Sequence, residues 1–184
     1  AWGRAMGEVR EKIRKLGRLE PVTVKHACAV SNTGNKGLET RSYRFELSNG
    51  LSASGVWLKA MASAARATVT IVLHDKGKKA AAQEVSERLN RGEQVLALDL
   101  LFHGDAAPAP NPVGFTQMLA ATGARPLGIQ AAQLLAVARW LRETTGARQA
   151  RLESTGIRNQ VAARIAAALE PAMFGEVLIR EGLP

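Results

Sequence analysis

Cysteine occurs once in these 184 residues, at Cys28, so the chain can build neither an internal disulfide nor a cysteine zinc cluster. Aromatic residues make up only 4%, poor material for the stacking platforms that hold single-stranded nucleic acid. Histidine is scarce as well, and His26, His74 and His103 are the three available as bases or metal ligands. No apolar run approaches the roughly 18 residues of a membrane-spanning helix, which excludes a membrane partner of that kind. No secretory leader is visible, and since the chain starts at Ala1 rather than Met, the reading leaves the compartment open.

Positive charge is what the chain has in surplus. Lysine and arginine number 25 against 16 acidic residues, a net charge of +9. The two signs alternate almost everywhere, so the surplus speaks to solubility and non-specific attraction before function. A nucleic-acid partner is therefore not expected. With 46% apolar residues, the length suits one domain with a real core.

The stretch from Ala67 to Asp105 organises the rest. Thr68 to Leu73 is apolar and β-branched without alternation, the pattern of a strand buried on both faces. Lys78 to Asn90 sets Ala81, Val85 and Leu89 on one helical stripe ended near Gly92, and Gln94 to Leu101 is a second apolar run. Strand, crossover helix and strand form a parallel βαβ unit, whose carboxyl ends are where ligands gather. His74-Asp75-Lys76-Gly77 and the segment from Asp99 to Asp105 both fall there.

Residues 1–20 read as an amphipathic helix and linker, and residues 21–184 as the domain. Trp2, Met6, Val9, Ile13 and Leu16 mark one helix face; Arg4, Arg10, Lys12, Arg14 and Lys15 mark the other. The pattern suits docking on the chain's own domain with a solvated basic face, in preference to a membrane-surface helix. Val22 to Val30, Arg41 to Leu47 and Leu51 to Leu58 read as strands, with Ser48-Asn49-Gly50 a tight turn and the polar stretch from Ser31 to Glu39 a loop. Phe115 to Thr122 suggests a short helix. Leu127, Ala131, Leu134, Ala138 and Leu141 mark the strongest one. Gln149 to Leu152 reads as a strand, Glu153 to Gly156 as a turn, Ile157 to Leu169 as a helix and Glu176 to Ile179 as a last strand.

This order, with Phe45-Glu46-Leu47-Ser48-Asn49-Gly50-Leu51, His74-Asp75-Lys76-Gly77 and Asp99-Leu100-Leu101-Phe102-His103-Gly104-Asp105 in sequence, resembles the α/β-hydrolase superfamily. The likeness is to its acetyl xylan esterase-like and dienelactone hydrolase-like members. It implies an α/β three-layer sandwich, an incomplete α/β-hydrolase fold with a mostly parallel sheet and an antiparallel N-terminal edge. It also implies oxyanion donors near His74, Asp75, Lys76 and Gly77, and a loop braced by Asp99, His103 and Gly104. His74 could otherwise be catalytic or a metal ligand, and His103 with Asp99 and Asp105 could form a metal cluster. Anchoring and bracing are the readings preferred, with no metal and no cofactor.

Where the superfamily carries G-x-S-x-G, this chain carries Glu153-Ser154-Thr155-Gly156-Ile157-Arg158. The nucleophile position falls on Gly156 or Ile157, and neither can attack a carbonyl. Ser154 is the catalytic candidate that remains, against a simpler role as cap of the following helix. Gly77 with Lys78 and Lys79 lacks the full phosphate-loop pattern, and a solvated first turn is expected there. No histidine follows the turn to serve as base. The expectation is thus an esterase-like domain inactive by itself, an accessory or degenerate repeat of a larger polypeptide. The alternatives are an active ester hydrolase whose acid and histidine lie outside this chain, and a non-enzymatic interaction module. Partners would be the remainder of that polypeptide, a partner domain, or a second copy meeting it at an exposed sheet edge.

Overall fold

The computed structural model of the chain describes residues 2–64 and 66–183, with no side-chain description for residues 2–4. Ala1, Ala65, Pro184 and the side chains of Trp2 and Arg4, all part of the expectations above, therefore lie outside the described residues.

Three hairpin-linked strands open the sheet: β1 (Val24–Asn35), β2 (Leu38–Leu47) and β3 (Ser52–Ala60), each antiparallel to the next. The polar stretch 31–39, expected as a loop, is instead strand on both sides of a two-residue turn, with Asn35 opposite Leu38. Lys36 and Gly37 take positive φ values of 47° and 79°, the turn whose twist matches that of its flanking strands. Polarity misled the reading because this hairpin is exposed, so its residues need no apolar side chains. At the other end, Gly50 donates to Leu47 O (3.0 Å) and closes the expected turn.

The βαβ unit follows as β4 (Val69–His74), α2 (Ala82–Asn90) and β5 (Gln94–Asp99). Then come α3 (Pro112–Ala121), α4 (Pro126–Thr145), β6 (Ala150–Thr155), α5 (Ile157–Leu169) and β7 (Phe174–Arg180). The sheet order is β1-β2-β3-β5-β4-β6-β7, with β5, β4, β6 and β7 parallel to one another. This is the mixed, mostly parallel sheet with an antiparallel edge that the resemblance implied.

Alternation along the strands builds two layers of core. Ile71, Leu73, Leu96, Leu98 and Leu152 point to one face and pack with Leu134, Leu141, Ala162 and Ala166 of α4 and α5. Val72, Val95 and Ala97 point to the other and meet Ala81 and Val85 beside α2. The few aromatics are concentrated where the hairpins meet α4: Trp140 packs edge-on to Phe45 at 4.9 Å and to Tyr43 at 5.2 Å between centroids. The helix α1 (Trp2–Gly17) docks through Ile13 and through Arg10 Nε, which donates to Ala168 O at 3.0 Å. Val9 and Leu16 of its expected apolar face stay exposed, because α1 touches only the rim of α4 and α5.

Candidate functional site

The carboxyl ends of β4, β5 and β6 meet at one point, where β6 passes into α5. Expected to leave the strand at Glu153, the chain instead stays extended to Thr155 and turns at the single residue Gly156. Side chains of α2 hold those last residues in the sheet. Glu153 points to α2 and meets Arg88 Nε through Oε2 at 2.7 Å; Thr155 Oγ1 donates to Glu84 Oε1 at 2.8 Å. Gly156 has φ 101° and ψ 167°, a region open essentially to glycine alone. It is the single residue at the elbow between β6 and α5, and with Ile157 one of the two positions at which the resemblance places a nucleophile.

Asp75, from the loop after β4, reaches across this elbow. Its Oδ2 accepts from Arg158 N and its Oδ1 from Asn159 N, both at 2.8 Å. A carboxylate there satisfies free N–H groups of the first turn and meets the positive end of the helix dipole. It also fills the space a side chain at 156 would need: a Cβ built on Gly156 stands 2.6 Å from Asp75 Oδ2 and 2.8 Å from Asp75 Cβ. A side chain at 156 and the Asp75 carboxylate would therefore compete for one space.

The backbone donors of the same loop are engaged inside the protein. Asp75 N donates to Thr155 O (3.0 Å), Lys76 N to His74 Nδ1 (3.0 Å) and Gly77 N to His74 O (2.8 Å). Lys78 N donates to Asp99 Oδ1 at 2.6 Å. His74 therefore holds its loop through one ring nitrogen and its carbonyl. Asp99 also receives Lys78 Nζ (2.7 Å) and Asp105 N (2.9 Å) on Oδ2, so it ties the loop after β4 to the loop after β5. Lys78 was expected in a solvated turn, yet Ser54 Oγ, Asp99 and Asp105 converge on its ammonium and bury it; Lys79 alone stays exposed. Hydrogen bonds from Lys78 and then Lys79 hold the Asp105 carboxyl below its ordinary pKa.

Gly104 lies against Asp99, where a Cβ would stand 2.6 Å from Oδ1. Beside it His103 is only 3% exposed; its Nδ1 lies 3.2 Å from Leu101 O, and its Nε2 has no partner among the described residues. Burial pushes its pKa down. The unfolded chain, with a histidine pKa of about 6.5, then takes up this proton first, so His103 favours folding fully above that pH and the contribution is lost as pH falls toward the folded value. Urea midpoints should therefore fall between about pH 7 and pH 5, with a shallower fall in His103→Leu. Equal slopes for the two proteins would contradict this.

Ser154 is fully buried in β6, on the α4 and α5 side, and its Oγ has no partner among the described residues. It does not cap α5, a role the structure gives to Asp75. Among the described residues no group of three His, Cys, Asp or Glu side chains is placed to hold a metal ion. A cavity of about 1120 Å³ lies elsewhere, between the hairpin strands and α2. It borders Lys78 and Asp105 but not the elbow. Missed in the sequence were the cap from Asp75, 84 positions from Asn159, and the buried ion pairs of Arg88 with Glu153 and Glu93. A charged residue inside each otherwise apolar stripe was the one local signal.

Solved structures share this fold. A Bacteroides fragilis protein assigned as an acetyl xylan esterase aligns over 93% of this chain and 51% of its own, with TM-score 0.74 and 12% identity. Acetyl xylan esterase 1 of a Thermoanaerobacterium species aligns over 94% of this chain and 56% of its own (TM-score 0.63, 13% identity). A cold-adapted esterase from an Arctic intertidal metagenomic library aligns over 82% and 63% (TM-score 0.63, 15% identity). The chain thus spans about half the length of the first and less than two thirds of the others. No family model and no curated protein matches it. Its fold is that of an α/β-hydrolase-like domain.

Proposed function

We propose that this chain is an esterase-like domain that does not cleave esters by itself and serves as an accessory or degenerate part of a larger carbohydrate-esterase-like protein. The elbow carries the argument: Gly156 has no attacking atom, and Asp75 occupies the space where one would stand. A serine hydroxyl needs an adjacent base to attack. The buried Ser154 Oγ has no such partner among the described residues. The reading in which a separate segment supplies acid and histidine must also supply the nucleophile.

Purified chain should show no turnover of p-nitrophenyl acetate above the buffer rate, and Ser154→Ala should change nothing. Turnover abolished by that substitution would overturn the proposal.

A further inference from the structure

The cavity of about 1120 Å³ beside α2 is a groove, and strand register gives it two unlike ends. Tyr43, Phe45, Ala53 and Trp57 point to the main core, so the residues that alternate with them point to the α2 side. There Arg44 lies opposite Ser54, Ser42 opposite Val56 and Leu38 opposite Ala60. On the next strand Ser54 lies opposite Asp99, Val56 opposite Ala97 and Leu58 opposite Val95. The end near the carboxyl terminus of β5 is therefore polar and the other apolar. Val85 and Leu89 of α2 line the same groove, and Ala82 and Ser86 stand exposed along its wall. The opposite rim is Val30, which the register irregularity between Ala29 and Ser31 leaves 71% exposed.

Positive charge dominates the rim. Among the described residues that border the groove, Lys36, Arg44, Lys78 and Lys79 are basic and Asp105 alone is acidic. Lys78 is engaged with Ser54, Asp99 and Asp105, and Lys79 with Asp105. Arg44 is freer. Its one ion pair among the described residues is with Glu46 at 3.8 Å, both side chains exposed, an arrangement worth little. Beside it Ser54 Oγ accepts from Lys78 Nζ at 2.8 Å, which leaves the Ser54 hydroxyl proton free to donate. A guanidinium and a hydroxyl, both offered as donors, thus stand at the head of an apolar channel.

We propose that this groove binds a long-chain aliphatic carboxylate, with its carboxylate on Arg44 and Ser54 and its hydrocarbon chain along Val56, Leu58, Val85 and Leu89. A guanidinium presents paired N–H donors that match a carboxylate. The strand from Arg44 to Leu38 runs for about 20 Å at roughly 3.3 Å per residue, room for an extended chain. A peptide fits less well. Each floor strand, β2, β3 and β5, lies between two others, so the floor offers an extended peptide no main-chain partners. A docked helix buries one apolar stripe along its whole length, whereas this groove passes from polar to apolar along its length. That gradient is the pattern of an amphiphile.

Titration of the purified chain with cis-parinarate, followed by its fluorescence, should show one saturable site from which dodecanoate displaces the probe. Arg44→Met should weaken binding roughly tenfold, the loss of a charge-assisted contact. Lys36→Met, at the apolar end, should leave it unchanged. Ser86→Trp, on the exposed wall, should abolish binding with unchanged far-UV circular dichroism. The absence of saturable binding would overturn the inference, and so would equal affinity in Arg44→Met. Binding that persists in Ser86→Trp would overturn it by placing the ligand elsewhere. A loss in Lys36→Met as large as that in Arg44→Met would overturn it by reversing the orientation. None of these results bears on whether the chain cleaves esters.

Discussion

Gly156→Ser, the substitution that writes a nucleophile into the elbow, should lower stability by about 3 kcal/mol and produce no esterase. The positive φ of 101° costs a side chain about 1–3 kcal/mol. The new Cβ also stands 2.6 Å from Asp75 Oδ2, so Asp75 must leave the two N–H groups it caps. Asp75→Ala alone should cost about 1–2 kcal/mol, the usual loss of a helix cap. The two changes share one cause, so the double variant Asp75→Ala/Gly156→Ser should cost less than their sum. Urea unfolding of the four proteins measures this. Strict additivity would show that Asp75 and position 156 do not compete for the same space. The hydroxyl itself should stay inert, because no hydrogen bond among the described residues brings an imidazole to the elbow.

Arg88→Met should cost about 3–5 kcal/mol, the usual penalty for removing one partner of a buried ion pair. Arg88 is 3% exposed and Glu153 not at all. Burial works against the guanidinium charge, but Glu153 and Glu93 outweigh it and raise the Arg88 pKa. The cluster spans the sheet. Arg180 Nε lies 2.5 Å from Glu153 Oε1, Arg151 Nη1 2.6 Å from Glu93 Oε1, and Thr70 Oγ1 donates to Glu93 Oε2. Without Arg88, Glu153 keeps only Arg180 among the described residues, and shares it with Glu87. Arg88→Met/Glu153→Leu removes both charges and should be more stable than Arg88→Met. A loss below about 1 kcal/mol for Arg88→Met would mean the pair behaves as a solvated one.

Most of the architecture was legible locally. The runs at Thr68 to Leu73 and Gln94 to Leu101 mark strands buried on both faces, and the stripe from Leu127 to Leu141 marks the helix that covers them. The order of the motifs matched the fold. Errors arose where a local preference met a non-local partner. The stretch 31–39 looks like a loop by composition, yet pairing with β2 carries β1 through it to Asn35. Glu153 to Thr155 look like a turn by polarity, yet Arg88 and Glu84 hold Glu153 and Thr155 in the sheet.

The amino-acid order by itself determined most of the sequence of strands and helices, and the glycine that stands at the turn between β6 and α5. Each of these depends on residue type or on neighbours within a few positions, where periodicity and turn chemistry act. Tertiary structure alone decided that Asp75 caps α5 and that Arg88 and Glu153 pair inside the protein. Those partners lie 84 and 65 positions apart, and a charge's partner over such distances is chosen by the topology that brings the strands together.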